Sequence, residues 1–153
     1  MRPHQTASQP TPALPPGGTR GGLVDPFEVT LAAGRAAPAA ARAAVTVWMG
    51  GRVSEAIRTD VQLLVSELVA NSVRHADAPA DALISVRADI RADVLRLEVS
   101  DRGKRASIVR RAPDLRCGGG FGLNVVEVLA RRWGIHRDAG TQVWVELALP
   151  ATG

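Results

Sequence analysis

Two neighbouring segments in which apolar and polar residues alternate constrain the fold more than any other feature of this sequence. Residues 83–90 and 94–100 carry an apolar side chain at every second position, which is typical of half-buried β-strands. Only residues 91–93 join them, and so short a connection permits only an antiparallel hairpin. The chain is therefore expected to contain a sheet with one apolar face, which other elements must cover.

The flanking segments predict helices and further strands around this hairpin. In chain order, the sequence predicts a strand at 27–31, helices at 36–49 and 54–75, the two hairpin strands, a helix at 121–132, and strands at 133–137 and 142–149. The interval 102–119 is a long basic loop, of the kind that often forms a lid or binding loop. This order predicts an α/β fold of the α+β sandwich type: a mixed, mostly antiparallel sheet with helices packed on one face.

The composition limits the domain organisation and the class of protein. With 153 residues, 46% of them hydrophobic, the chain suffices for one globular domain. Residues 1–24 are rich in Pro and Gly and predict a disordered tail, which leaves residues 25–150 as the domain. An intrachain disulfide is excluded because Cys117 is the only cysteine. Without a secretory leader or an apolar segment long enough to span a bilayer, a cytoplasmic protein is expected.

The basic charge balance does not favour nucleic acid as a partner. The formal net charge is +4, yet aromatic residues make up 3% of the chain and Tyr is absent. Proteins that bind nucleic acid through exposed bases usually supply aromatic side chains for stacking. We therefore expect no direct contact with nucleic acid, and an anionic ligand or acidic partner remains open.

The helix predicted at 54–75 carries polar groups at the edge of its apolar stripe. Glu67 and Asn71 are four residues apart and share one face. They are either solvated or line a pocket beside the sheet. His75 continues the same row, and its simpler interpretation is a cation that interacts favourably with the helix C-terminus.

Three glycine-containing segments are the other candidates for binding. Asp101, at a strand end, is followed two residues later by Gly103, a pattern that serves a ligand amine or simply ends a strand. The run CGGGFGL at 117–123 opens into a helix, where free backbone N–H groups suit phosphate, although it lacks the Gly-Lys-Ser/Thr of a Walker A loop. Thr141, after Gly140, begins an alternating strand, and its hydroxyl could support a neighbouring Asp.

In this order, the four segments resemble the GHKL ATP-binding superfamily, which includes gyrase, heat-shock chaperone, histidine-kinase and mismatch-repair ATPases. The resemblance covers residues 27–149. Residues 66–76, SELVANSVRHA, are similar to the N box, and the segments at 101–103, 118–123 and 140–141 are similar to the G1 box, the G2 box and the last conserved element. In the residue sequence of its N box and in its short length, the chain most resembles the anti-sigma-factor serine/threonine kinases of the RsbW and SpoIIAB type found in actinobacteria.

The resemblance implies ATP and Mg²⁺ as cofactors. Asp101 would accept the adenine amino group with help from Thr141, and Gly103 would let the base lie against its loop. The resemblance also implies a phosphate-binding backbone made of Gly118, Gly120, Gly122 and Leu123.

The resemblance implies two further roles on the N-box helix. Asn71 would hold Mg²⁺ through its amide oxygen. Glu67 would be the catalytic residue, a general base toward the attacking hydroxyl. Two features depart from the relatives: the proline that often follows the G1 box is missing from residues 104–109, and the loop is unusually basic. Lys104 and Arg105 are either phosphate contacts or solvated charges.

These implications lead to an expected function with two alternatives. The chain would phosphorylate a Ser or Thr of an antagonist protein and regulate a sigma factor by partner switching. The kinases that it resembles also suggest a homodimer. The first alternative is a non-catalytic ATP-binding module whose nucleotide only sets which partner it holds. The second, a detached histidine-kinase catalytic domain, ranks last because no helical hairpin with a phospho-accepting His is expected before residue 27.

Overall fold

A five-stranded antiparallel sheet covered on one face by helices forms the structure, a computed structural model that describes residues 24–75, 82–101, 121–137 and 140–151. The elements are β1 (Phe27–Ala32), α1 (Ala37–Met49), α2 (Glu55–His75), β2 (Leu83–Arg91), β3 (Val94–Asp101), α3 (Phe121–Leu129), β4 (Arg132–Arg137) and β5 (Thr141–Ala148). The strand order is β1-β2-β3-β5-β4, so the last strand inserts between β3 and β4. The predicted α+β fold with helices on one face is confirmed, and every pairing of these strands is antiparallel.

The hydrophobic core lies between this sheet and the helices. Alternation along β2, β3 and β5 sends apolar side chains to the helix side, and α1 and α2 bury one stripe each against them. The fully buried residues of these elements include Val45, Met49, Leu64, Val65, Ile84, Val86, Leu95, Leu97 and Val145. Among the described residues, no helix combines the length and hydrophobicity that crossing a membrane requires.

The third helix is shorter than the sequence predicts. It ends at Leu129 and not at residue 132, because Arg132 already pairs with Glu146 in the β4–β5 ladder. The apolar spacing continues to residue 130, so local periodicity gives no sign of the change. The predicted tail, residues 1–24, lies outside the described residues apart from Val24, and the boundary at 25 stays a prediction.

The turn between β2 and β3 is also tighter than predicted. Arg91 pairs with Val94, so only Ala92 and Asp93 form the loop, and Ala92 has a φ of +50°. This left-handed conformation places Cβ close to the following carbonyl oxygen, a strain that glycine avoids.

We expect Ala92→Gly to leave the free energy of unfolding unchanged or to raise it by about 0.5–1 kcal/mol, because relief of strain offsets the greater entropy of the unfolded chain. Urea denaturation measures this change. Ala43→Gly, on the exposed side of α1, is the control and should lower the free energy of unfolding by about 1 kcal/mol. An equal loss in both variants would contradict the strain at Ala92.

Candidate functional site

Helix α2 holds Glu67 and Asn71 beside the hydrophobic core. One stripe of the helix is buried, at most 2% exposed, and consists of Val61, Leu64, Val65, Leu68 and Val69. At about 100° per residue, Asn71 lies about 90° from the centre of that stripe and Glu67 about 130°. Both side chains are only partly exposed. The carboxylate and the carboxamide therefore lie at a margin of the core, where they can meet a bound ligand.

The margin that carries these two groups faces α3. On the opposite flank of α2, Gln62 Nε2 donates to Thr46 Oγ1 of α1 over 2.9 Å, and Arg42 Nη1 of α1 donates to Ser66 Oγ over 3.3 Å. On the flank shared with Glu67, Leu63 lines a groove with α3. The α1 contacts thus fix the rotation of α2 and direct the candidate groups away from α1.

Asp101 faces the helix layer at the end of β3. It pairs with Ile84 on one side and with Thr141 on the other, and all three point to the side of the sheet that the helices cover. The backbone N–H of Thr141 donates to Asp101 Oδ1 over 3.2 Å. The sequence suggested the Thr141 hydroxyl for this support, and the contact seen here comes from the backbone. It fixes the orientation of the carboxylate whatever side chain occupies position 141.

The connections bring the candidate elements to one end of the sheet. Helix α2 leads toward the start of β2, and Ile84 near that start is the neighbour of Asp101. Helix α3 ends at Leu129, close to Arg132, which pairs with Glu146 at the far end of β5. The end of β3 and the start of β5 meet at the Asp101 end of the sheet, toward which α2 leads.

Arg74 is a member of this region that sequence reasoning missed. Its Nη2 donates to Asn71 Oδ1 over 3.0 Å, the atom that the resemblance assigns to Mg²⁺. The i, i+3 spacing on a helix was the available signal, since such residues are neighbours on the helix surface. A metal ion bound through this oxygen would lie close to the guanidinium, whose positive charge disfavours it.

The described donor set fits a metal ion held mainly by a nucleotide. The described part of the chain contains no group of three His, Cys, Asp or Glu side chains able to hold a metal. Asn71 supplies one amide oxygen, and Mg²⁺ characteristically takes one or two protein oxygens together with phosphates and waters. The residues present therefore suit Mg²⁺ that arrives with its nucleotide.

Part of the predicted site cannot be placed. Gly103, Gly118 and Gly120 lie outside the described residues, as do Lys104, Arg105 and Cys117. Gly122 and Leu123 belong to the first turn of α3, and His75 is the last residue of α2. The structure thus brings Asp101 and Thr141 into contact and places Glu67 and Asn71 on one flank of α2, and the phosphate-binding roles stay predictions.

One family model and solved structures are similar to this chain. The family described as "Histidine kinase-like ATPase domain" matches residues 31–147, more than half of the chain. No curated protein matches the chain. Among solved structures, the histidine kinase domain of a blue-light activated histidine kinase from Erythrobacter litoralis EL346 is similar at 26% identity and a TM-score of 0.48. The similarity covers 59% of this chain and 43% of that one, so the chain spans less than half of its length.

Proposed function

The chain belongs to the histidine kinase-like ATPase domain family, and from this premise we propose that it is a protein serine/threonine kinase that regulates a sigma factor by partner switching. The resemblance to the GHKL superfamily is confirmed at the level of this family, whose name implies ATP binding. The assignment to anti-sigma-factor kinases of the RsbW and SpoIIAB type is the proposal. Its substrate would be a Ser or Thr hydroxyl of an antagonist protein.

The observation that carries the proposal is the pair formed by Asp101 and Thr141 at the end of the sheet reached by the Glu67 flank of α2. The N–H of Thr141 occupies one side of Asp101 Oδ1. A carboxylate has about four acceptor sites on its two oxygens, so it can also accept the adenine 6-amino group. This group distinguishes adenine from guanine, which carries a carbonyl oxygen there and would repel the carboxylate.

The flank of α2 supports the chemistry of phosphoryl transfer. Glu67 is partly exposed and would take the proton as the hydroxyl oxygen of the substrate bonds to the γ-phosphorus. The bond from that phosphorus to the bridging oxygen breaks, and ADP leaves with the electron pair. Mg²⁺, held by Asn71 and the phosphates, would neutralise the developing charge. Most of the remaining catalysis is positional, since phosphoryl transfer needs little covalent chemistry from the protein.

The non-catalytic partner-switch module is the alternative. Its support is the bond from Arg74 to Asn71 Oδ1, because it places a positive charge beside the oxygen that would hold the metal ion. In such a module, ATP would select the partner and no phosphate would be transferred. Both functions need the nucleotide pocket, and only the kinase needs Glu67 as a base.

Glu67→Gln is therefore expected to lower phosphate transfer by at least about 100-fold, the usual contribution of a general base, while ATP affinity stays close to that of the wild type. Partners are captured from an extract of the source cells on the immobilised full chain with Mg-ATP. They are then incubated with fresh protein and γ-³²P-ATP, and transfer is measured as protein-bound label.

Two controls decide between the functions. Gln62→Glu, on the α1 flank of α2, changes the same helix without touching the proposed base and should keep transfer. Phosphoserine and phosphothreonine survive acid, whereas phosphohistidine does not, so the acid stability of the label reports the acceptor. Undiminished transfer by Glu67→Gln would show that Glu67 is not the base. An acid-labile label would exclude Ser and Thr as the acceptor. If no captured partner carries label, the non-catalytic module is favoured.

A further inference from the structure

Strand β4 lies at one edge of the sheet, and no strand pairs with its outer side in the part of the chain that the structure describes. The N–H of Arg131 donates to the carbonyl oxygen of Glu146 over 2.8 Å, so the backbone groups of Glu146 face β4. The N–H of Thr141, an odd number of residues away, faces β3 instead, where it donates to Asp101 Oδ1. Every second residue of β5 from Glu146 therefore bonds to β4, and the partners of these residues are Arg132, Gly134 and His136.

The remaining residues of β4 turn their backbone away from the sheet. Successive residues of a strand direct their N–H and C=O groups to opposite sides. The outward set is Trp133, Ile135 and Arg137. Such a row of backbone donors and acceptors at an edge is a template for a further strand.

The side chains along this edge are positive. Residues 131–137 read RRWGIHR and include three arginines and no acidic residue. Arg131 and Arg132 are 54% and 66% exposed, and each has an ion pair with a carboxylate of the chain at a long 3.8 Å. Arg137, at the other end of the strand, is also exposed. Because exposed pairs at such distances are weak, the two cations of residues 131 and 132 can turn to a partner.

The middle of the edge is apolar on both faces of the sheet. On the face without helices, the Trp144 indole lies across Gly134, where an added Cβ would be only 2.8 Å from the ring. The guanidinium carbon of Arg132 lies 6.0 Å from the centroid of this ring, and this contact holds the cation near the edge. On the helix face, Ile135 is 36% exposed. A strand added here would meet apolar surface in its middle and positive charge toward its ends.

We propose that the outer edge of β4 binds an extended acidic segment of another protein, which joins the sheet as a sixth strand. The outward backbone groups supply the hydrogen bonds, and the arginines select carboxylates near the ends of the segment. A second copy of β4 is disfavoured as the occupant, because it would bring arginines to an edge that already carries them. This inference does not depend on the proposed function, and its test is made without nucleotide.

The opposite edge of the sheet lacks this combination. In β1 the residues FEVTLA include one charged side chain, Glu28, and its Oε1 already accepts a bond from Arg87 Nη2 over 2.9 Å. The N–H of Ala33 donates to the carbonyl oxygen of Ala82, so the outward backbone groups of β1 include those of Glu28 and Thr30. These two amides are an internal control, because β1 offers an acidic segment no arginine of its own.

The probe is a fluorescein-labelled peptide amide, EEVTVE, which in an antiparallel alignment sets its threonine beside Gly134 and its glutamates near the arginines. Amide hydrogen exchange of the full ¹⁵N-labelled chain is followed by NMR with and without this peptide. At saturation, the N–H groups of Trp133 and Ile135 are expected to exchange at least about tenfold more slowly. Those of Glu28 and Thr30 should not change.

N-methylation of the peptide separates strand addition from attraction between charges. The N–H groups of alternate peptide residues point to opposite sides, so only one set can bond to β4. One peptide is methylated at both valines, and the other at its second glutamate and its threonine. By fluorescence anisotropy, one of the two is expected to bind at least about tenfold more weakly than the unmodified peptide, and the other within about threefold of it.

Charge reversal in the protein tests the role of the arginines. Arg132→Glu is expected to raise the dissociation constant of the peptide at least about tenfold. Arg35→Glu, an equal charge change in an exposed turn before α1, should leave it within about threefold of the wild type.

Four outcomes would each overturn the proposal. The first is that the Trp133 and Ile135 amides are already protected in the free protein, as a second copy on the edge would cause. The second is equal affinity of the two methylated peptides, and the third is wild-type affinity in Arg132→Glu. The fourth is displacement of the peptide by an equal concentration of hexauridylate, which would make the edge a nucleic-acid site.

Discussion

Asp101→Asn is expected to lower ATP affinity by at least about 100-fold without unfolding the domain. One side-chain oxygen can still accept the N–H of Thr141 over the present 3.2 Å. The other position then carries an NH₂ group, which meets the adenine amino group donor to donor. A site built to hydrogen-bond a ligand group loses a large factor when that bond cannot form, because buried polar atoms are left unpaired.

Isothermal titration calorimetry with Mg-ATP and Mg-GTP measures this effect. Since the new NH₂ group can donate to the guanine carbonyl, the ratio of ATP to GTP affinity should fall, and general damage to the fold would lower both equally. Asp93→Asn, in the exposed β2–β3 turn, is the matched control and should bind ATP normally. Wild-type ATP affinity in Asp101→Asn would show that the pocket is elsewhere.

Gly134→Ala is expected to lower the free energy of unfolding by about 1–3 kcal/mol, the usual cost of an overpacked contact. A Cβ atom at this position of β4 would lie 2.8 Å from both Nε1 and Cζ2 of the Trp144 indole. The ring lies across Gly134, and the guanidinium of Arg96 lies against it. Moving the ring off β4 therefore disturbs the cation–π contact as well.

Chemical denaturation checks this prediction, with Gly34→Ala as the control, because a Cβ at Gly34 meets nothing within 4 Å. Trp144→Leu removes the ring that would collide. In the Trp144→Leu background, Gly134→Ala should lower the free energy of unfolding by less than it does in the wild type. An equal loss of unfolding free energy in both backgrounds would mean that the collision with the indole is not what destabilises Gly134→Ala.

Local features of the sequence were sufficient for the elements and for the hairpin. The alternation in β2 and β3 and the few residues between them leave one pairing possible, and the structure has it. The apolar spacing of α2 likewise placed Glu67 and Asn71 at a core edge, as observed. Each of these signals spans a few residues, so no distant contact is needed to read it.

Other features needed the whole fold. The end of α3 was predicted too late because Arg132 becomes part of a strand only through its partner Glu146. The bond from Arg74 to Asn71 depends on a choice of rotamer that spacing permits and does not require. The neighbouring charges of Asp89, Arg96, Glu146 and Arg132 come from four strands, and no single segment shows them.

The sequence by itself determined which segments form helices and strands, which side of each is apolar, and the family through four ordered motifs. These properties depend on neighbours along the chain. Only the tertiary structure decided that β5 lies between β3 and β4, and with it that Thr141 supports Asp101 from forty residues away. The reason is that strand order follows from the packing of the whole core, which no local pattern records.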